Sequence, residues 1–167
     1  MADARPASAT ARSRGVHIRD FAAPHAAAFR ALNLAWISEH FAVEAEDLRV
    51  LDDPEGEILA RGGHILVAED TNAVLGVCAL IATDDGALEL AKMAVAAEAR
   101  GRGIGRALGA AAVARARAGG APRLELLSNT RLAPAIALYR RLGFVEAPLG
   151  DVPYARANIR MVLDLRS

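Results

Sequence analysis

The chain has 167 residues, of which 53% are hydrophobic and 24% charged, and its 20 basic and 20 acidic residues leave no formal net charge. This length and composition predict one compact globular domain. A zero net charge argues against a dedicated nucleic-acid-binding protein, because such a protein needs a basic excess to neutralise phosphates.

Residue usage argues against three further kinds of protein. No apolar run approaches the roughly 18 residues that span a bilayer, so we expect no association with a membrane. The single cysteine, Cys78, excludes an internal disulfide and fits a reducing, cytoplasmic compartment. The four histidines lack the paired spacing of metal ligands, so we expect no metal site. Abundant alanine and arginine are interpreted as genome composition, and we expect a bacterial protein.

The N-terminal third of the chain predicts a tail, a strand and two helices. Residues 1–14 have no periodic apolar pattern and predict a disordered tail; a targeting peptide is the alternative, disfavoured by an early acidic residue. Residues 16–21 alternate apolar and polar, which predicts a first strand. Helices are predicted over about residues 20–35 and 37–51, the second ending at a turn signal over residues 52–56.

The predicted boundary between those helices carries Trp36, Glu39, His40 and Phe41. One interpretation places Trp36 and Phe41 in the core and leaves Glu39 and His40 solvated. The other makes this stretch part of a pocket for an acceptor substrate.

Apolar runs in the rest of the chain predict a sheet. Three successive antiparallel strands come first, and a glycine turn and a helix separate them from the second half. The predicted elements are strands at 64–68, 74–82, 87–95 and 121–127, a helix at 132–142, a strand beginning at 143–145, and a final strand at 158–165. We expect one domain over residues 15–167.

The stretch from residue 88 to 117 runs from a strand through a glycine turn into an alanine-rich helix. The turn contains Arg100, Gly101, Arg102, Gly103, Ile104, Gly105 and Arg106. Glycines allow a chain to wrap closely round a phosphate, and the first turn of a helix offers backbone N–H groups and partial positive charge. The sequence therefore predicts a site for an anionic group, with a glycine-rich turn that binds no ligand as the alternative.

Two common phosphate-binding motifs do not fit the turn. A Walker A loop ends in Gly-Lys-Ser/Thr, whereas Gly105 is followed by Arg106 and Ala107. The dinucleotide motif G-x-G-x-x-G/A also fails, because counting from Gly101 or Gly103 ends at Arg106 or at Leu108.

The motif that the turn does contain is R-x-x-G-x-G, which resembles motif A of the GNAT superfamily of acyl-CoA N-acetyltransferases. A second signature of that family, A-[IL]-x-L-Y followed by G-F, lies in residues 135–144 as AIALYRRLGF. The resemblance covers about residues 16–165. It implies an α/β GNAT fold with a mostly antiparallel, twisted mixed sheet of six to seven strands flanked by about four helices.

The resemblance also implies acetyl-CoA as co-substrate. The turn would bind the pyrophosphate, and the strand before it would pair with the pantetheine arm. The implied cofactor-binding residues are Met93, Ala94, Val95, Arg100, Gly101, Arg102, Gly103, Ile104, Gly105, Arg106 and Asn129. The backbone N–H of Met93 or Ala94 would stabilise the oxyanion. Leu132 stands where the family often has an asparagine, and Asn129 is either its replacement or a strand-to-helix cap.

Two side chains are candidates for proton transfer. Glu89 is a carboxylate in an apolar strand, which fits a general base for the amine, although a salt bridge with Lys92 or an arginine is the alternative. Tyr139 matches the family's general acid for the leaving thiolate, and a packed helix tyrosine is its alternative. Cys78 has no histidine near it in sequence, which disfavours a cysteine nucleophile.

The function that the resemblance implies is acetyl transfer by direct attack of a primary amine, carried by a small molecule, an amino acid or a peptide. A non-catalytic acyl-CoA sensor or interaction module is the alternative, and the family resemblance makes a homodimer through the C-terminal strands an expectation. Side chains that could recognise the acceptor are Glu39, Asp84 and Asp85 for a cation, and Arg156 and Arg160 with Tyr154 for a carboxylate.

Overall fold

The computed structural model describes residues 15–166, so the tail predicted over residues 1–14 lies outside the described part of the chain. The strands are β1 (His17–Asp20), β2 (His64–Glu69), β3 (Val74–Ala82), β4 (Leu88–Val95), β5 (Arg123–Ser128), β6 (Val145–Ala147) and β7 (Ile159–Asp164). The α-helices are α1 (Ala26–His40), α2 (Ala45–Asp52), α3 (Pro54–Glu57), α4 (Ile104–Ala118) and α5 (Ala133–Leu142). Short 3₁₀ turns lie at Ala23–His25, Leu59–Arg61 and Ala97–Ala99.

The seven strands form one sheet in the order β1-β2-β3-β4-β5-β7-β6. Every neighbouring pair is antiparallel except β4 and β5, which are parallel. The predicted mixed, mostly antiparallel sheet is confirmed. A fifth helix, α3, forms within the predicted turn signal, because Pro54 suits a first helical position and Asp53 accepts from the Gly56 N–H at 3.0 Å.

The predicted break between the first two helices at Trp36 is wrong. α1 runs without interruption through Trp36 to His40, since no glycine or proline interrupts it. It ends where Phe41 becomes extended, with φ −148°. α2 then begins at Ala45, where the Glu44 N–H donates to the Asp47 carboxylate at 2.9 Å. Trp36 and Phe41 therefore lie at the C-terminal end of one helix.

Helices cover both faces of the sheet. One face packs against the buried side of α4, which contains Ile104, Leu108, Ala112 and Ala116. The opposite face packs against α1, α2 and the residues that follow them, including Phe29, Ile37, Val50, Leu51 and Ile58. This burial of apolar side chains on two faces is the main source of stability for the fold.

β4 carries a bulge against β3. Val77 pairs with Ala94 and Ala79 pairs with Ala91, so two residues of β4, Lys92 and Met93, stand opposite a single residue of β3. Lys92 has φ +53°, the left-handed conformation that a residue with a side chain adopts at a cost of roughly 1 kcal/mol. The bulge redirects the second half of β4.

β4 and β5 pair over only two positions, Leu88 with Leu124 and Glu89 with Glu125. Beyond Glu89 the two strands no longer pair, which leaves the edge of β4 that faces β5 open. The divergence of two central strands makes a cleft in the middle of the sheet.

Candidate active site

A cavity of about 300 Å³ occupies the cleft where β4 and β5 diverge. Its walls come from α1, β4, β5, α5 and the loop between β6 and β7, residues 148–158. The predicted site residues that line it are Glu89, Met93, Val95, Arg100, Asn129 and Tyr139. The structure therefore brings together both candidate proton-transfer groups and four of the eleven predicted cofactor contacts.

The remaining predicted cofactor residues lie outside the lining of this cavity. The Ala94 side chain is buried in the cluster on the α1 face of the sheet. Residues 101–106 form the turn into α4, directly after Arg100, which does line the cavity. The turn thus stands next to the cavity, at the N-terminal end of α4.

The geometry of the glycine turn fits an anionic group. Gly101 and Gly103 have φ +81° and +77°, in the region that glycine adopts without strain. A Cβ on either residue would meet no atom within 4 Å, so backbone conformation, and not crowding, requires glycine there. Gly103 precedes α4 and gives it no side-chain cap, which leaves the first N–H groups of α4 available to a phosphate.

Glu89 is a half-buried carboxylate that the structure leaves without an ion pair. Among the described residues no basic side chain lies within 4.0 Å of it, and its expected partner Lys92 binds Asp47 instead. Burial, together with the neighbouring carboxylate of Glu125, raises the pKa of Glu89 to about 7, although Lys92 opposes both effects. A carboxylate with a pKa near neutrality is suited to accept a proton from an ammonium group.

Tyr139 lies on α5 and packs its ring edge-on against Phe144, with the centroids 6.1 Å apart. Burial raises the pKa of its phenol to about 12, with a smaller contribution from Cys78. The phenol therefore stays protonated at every pH at which Glu89 titrates. Tyr139 packs against the core and also lines the cavity, and its role as general acid stays a prediction.

Cys78 is fully buried in β3, away from the lining of the cavity. Burial raises the pKa of its thiol to about 12. A thiol that is neither exposed nor ionised is a poor nucleophile, in agreement with the prediction.

Arg100 and Glu39 bind each other across the mouth of the cavity. The two guanidinium nitrogens of Arg100 donate to the two carboxylate oxygens of Glu39 at 2.9 and 2.6 Å. Glu39, a candidate for recognising a cationic acceptor, is thus paired with Arg100 and does not itself line the cavity.

Asn129 uses its side chain to join two segments. Its amide nitrogen donates to the Arg156 carbonyl at 2.8 Å, and its amide oxygen accepts from the Arg131 N–H at 2.9 Å. It is not the N-cap of α5, a position that Leu132 occupies without a side-chain hydrogen bond. A contact between Asn129 and the cofactor stays a prediction.

A buried ionic cluster closes one side of the cavity. Asp47, fully buried on α2, accepts from Lys92 at 2.8 Å and from both terminal nitrogens of Arg156 at 2.6 and 2.8 Å. Lys92 also donates to the Tyr154 hydroxyl at 2.9 Å, and Arg156 to Glu44 at 3.2 Å. The cluster ties α2 and the β6–β7 loop to the bulge in β4.

Electrostatics within the cluster favour the ionised form of Asp47, whereas burial lowers the pKa of Lys92. Burial alone would raise the pKa of Asp47, but hydrogen bonds from Arg156 and Lys92 outweigh it and hold the pKa at about 2. We did not predict this cluster from the sequence. Its one available signal is that Lys92 is the single lysine in a chain whose other basic residues are arginine.

Three other predicted acceptor residues lie elsewhere. Asp84 and Asp85 are exposed on the turn between β3 and β4, outside the cavity, and Asp85 is paired with Arg123. Arg160 lies on β7 outside this cavity. Trp36 and Phe41 pack on the core, as the first interpretation expected, and they also line the cavity, while their role in an acceptor pocket stays a prediction.

None of the helices within residues 15–166 is long and apolar enough to cross a membrane. In the same part of the chain, no group of three or more histidine, cysteine or acidic side chains is placed to hold a metal ion.

Comparison with known proteins identifies the family. Residues 61–146 match the acetyltransferase (GNAT) domain family. The mycothiol acetyltransferase of Clavibacter sepedonicus is 31% identical over 143 residues, which are 86% of this chain and 47% of that protein. The chain thus spans about half the length of this curated relative.

Solved structures share the fold. A GNAT-family acetyltransferase from Staphylococcus aureus Mu50 superposes with a TM-score of 0.82 at 20% identity, covering 90% of this chain and 99% of its own. YncA from Salmonella typhimurium, solved with its cofactor acetyl-CoA, gives a TM-score of 0.72 at 21% identity, covering 90% and 94%. The glycine turn, the diverging strands and these matches together place this chain in the GNAT acetyltransferase family.

Proposed function

We propose that the protein transfers an acetyl group from acetyl-CoA to a primary amine by direct attack on the thioester. The observation that carries the proposal is the position of Glu89 and Tyr139 in one cavity, which opens where β4 and β5 diverge. A sensor that only binds acyl-CoA has no need for a carboxylate of raised pKa beside a protonated phenol.

The residues of this chain fit acetyl-CoA in two places. The uncapped start of α4 and the left-handed glycines before it suit the pyrophosphate. The open edge of β4 at Met93 to Val95 suits the amide groups of the pantetheine arm. When bound, acetyl-CoA supplies a thioester carbonyl that an amine can attack.

Glu89 and Tyr139 would move the protons that the reaction requires. An alkylammonium group has a pKa near 10.4 and must lose a proton before its nitrogen can attack. Glu89 accepts that proton, the C–N bond forms, and the C–S bond breaks. Tyr139 gives a proton to the departing thiolate and regains one from the nitrogen. A backbone N–H of Met93 or Ala94 stabilises the negative charge on the carbonyl oxygen.

The acceptor end of the cavity supports an amine with an aromatic or apolar body. Trp36, Phe41 and Tyr154 line it, and the cations Lys92 and Arg156 are paired with the carboxylate of Asp47, which they share, and Arg156 also with Glu44. A polyamine would gain little from these walls, because no unpaired carboxylate besides Glu89 lines the cavity among the described residues.

The direct test is release of CoA thiol from acetyl-CoA with a panel of arylalkylamines, amino acids, peptides and polyamines. Turnover with one class supports the proposal and identifies the acceptor. CoA binding by calorimetry without turnover on any class would instead favour the sensor. Absence of CoA binding would contradict both.

Replacing Tyr139 by phenylalanine should lower kcat by about 10²-fold, since general acid–base groups contribute roughly 10² to 10⁴. The ring still packs against Phe144, so the melting temperature and the Kd for CoA should change little. Steady-state kinetics with calorimetry measures both. Unchanged kcat in Tyr139→Phe would show that Tyr139 is only a packing residue.

Replacing Gly103 by valine should abolish detectable CoA binding. A β-branched residue at φ +77° is strained, so the turn before α4 must change its path and its N–H groups must move. The matched control is Gly62→Val. Gly62 has φ +88°, and a Cβ there would also meet no atom within 4 Å, but Gly62 does not line the cavity and lies far from the glycine turn in sequence. CoA affinity equal in the two variants would contradict the assignment of the turn.

A further inference from the structure

A second cavity, of about 200 Å³, lies on the other side of Glu89. Glu89 and Leu127 line both cavities. The second cavity is otherwise formed by residues of β5, β7 and the β6–β7 loop, including Glu125 and Arg160. Its size and polar walls suit several water molecules, each with partners for hydrogen bonds. The carboxylate of Glu89 therefore faces two separate spaces.

Glu125 lies directly beside Glu89 in the sheet. The two residues pair on the parallel strands β5 and β4, so their side chains leave the same face of strands about 4.8 Å apart. This is the last paired position before the strands diverge. Two carboxylates held this close favour a proton on one of them.

Arg160 holds Glu125 in this place. Its guanidinium donates to the Glu125 carboxylate at 2.8 Å, and Arg123 donates to the same oxygen at 3.1 Å. Arg160 lines the second cavity together with Glu125, whereas Arg123 does not. The Glu125–Arg160 pair thus forms part of the wall of the second cavity, which Glu89 also lines.

Other charged and titratable groups surround Glu89 on every element packed against it. They are Lys92 on β4, Glu46 and Asp47 on α2, Asp151, Tyr154 and Arg156 on the β6–β7 loop, Glu125 on β5 and Arg160 on β7. Lys92 and Arg156 are committed to Asp47. Glu125 and Arg160 are therefore the charges whose removal changes the surroundings of Glu89 without breaking the buried cluster.

In the proposed reaction, a proton must leave the site. An ammonium and a thioester give an amide, a thiol and one free proton, so one proton leaves the site in each turnover. Glu89 holds that proton after the amine is deprotonated. While acetyl-CoA and the acceptor fill the first cavity, Glu89 still lines the second cavity.

We propose that the second cavity is the route by which Glu89 exchanges its proton with solvent during turnover, and that Glu125, held by Arg160, is the positioning residue of that route. This inference rests on the proposed role of Glu89 as general base. It gives Glu125 no contact with acetyl-CoA or the acceptor.

The test is a pH titration of the Glu89 carboxyl by carbon-13 NMR on protein labelled at glutamate, with Glu89→Gln to assign the signal. Glu125→Gln removes a neighbouring negative charge and leaves Arg160 unpaired, so the midpoint should fall by about one pH unit. Arg160→Gln leaves the Glu125 charge less neutralised, so the midpoint should rise. Asp164→Asn, an exposed carboxylate on the same strand as Arg160, is the matched control and should leave the midpoint unchanged.

The same titrations are repeated with saturating CoA, which fills the first cavity. Both shifts should persist, and the acid limb of kcat should move with them on the first active acceptor while the KM for acetyl-CoA is unchanged. The inference would be overturned if both variants moved the Glu89 midpoint in the same direction, if neither variant moved it, or if CoA abolished both shifts. Full turnover in Glu89→Gln would instead contradict the proposed role of Glu89 as general base, on which this inference rests.

Discussion

Replacing Glu89 by glutamine should lower kcat/KM by about 10²- to 10³-fold, the range that a general base contributes. The amide has nearly the shape of the carboxylate but accepts no proton from an ammonium group. Because the glycine turn and the edge of β4 are untouched, the Kd for CoA should stay within about twofold of the parent value. Thiol release and calorimetry on the same preparations measure the two effects.

The pH dependence of kcat/KM is an independent test of the role of Glu89. Its pKa of about 7 means that the active, ionised form appears as pH rises through neutrality, so kcat/KM should increase over that range. Tyr139, with its pKa raised to about 12, keeps its proton across the same interval. Glu89→Gln should lack the rise near pH 7, whereas Asp84→Asn, an exposed control outside the cavity, should keep it. A rise near pH 7 in both variants would assign it to another group.

Replacing Asp47 by alanine should destabilise the protein by about 3–5 kcal/mol, the cost of breaking a buried ion pair from one side. The change leaves two cations, Lys92 and Arg156, without their shared carboxylate in a place where the Lys92 side chain is only 5% exposed. A domain of ordinary stability, at about 5–15 kcal/mol, would lose a large part of its margin. Urea unfolding followed by circular dichroism measures the loss.

The matched control is Asp52→Ala, because Asp52 lies on the same helix and pairs with Arg30 at the surface. Its loss should cost less than about 1 kcal/mol. The contribution of Asp47 is present above its unfolded pKa of about 3.9 and is lost as pH falls through its folded value of about 2. Equal destabilisation by Asp47→Ala and Asp52→Ala would show that the cluster contributes little to the folded state.

Local patterns were sufficient to predict most of the fold. Alternating and continuous apolar runs located the seven strands, and the glycines around Gly103 located the start of α4. These signals work because period, turn chemistry and helix ends are properties of a few neighbouring residues. The predicted break at Trp36 is wrong because no glycine or proline interrupts α1 there.

The site was only partly predictable for a related reason. Glu89 and Tyr139 could be identified because each belongs to a motif or breaks a local pattern. The pairing of Asp47 with Lys92 and Arg156 joins residues 45 and 109 positions apart, and no local pattern encodes it. The same holds for Glu39 and Arg100, which lie 61 positions apart and neutralise each other.

Because β4 and β5 diverge, the two halves of the site are built from different parts of the chain, and this difference affects how the site can evolve. The donor side is made largely of main chain, from a glycine turn, a helix start and an open strand edge. The part of the site proposed for the acceptor is made of side chains from α1 and the β6–β7 loop. Substitutions can therefore accumulate on the acceptor side while the donor side keeps its shape. Under the proposed function, specificity for the amine can therefore change, provided that the Asp47 cluster still ties the β6–β7 loop to β4.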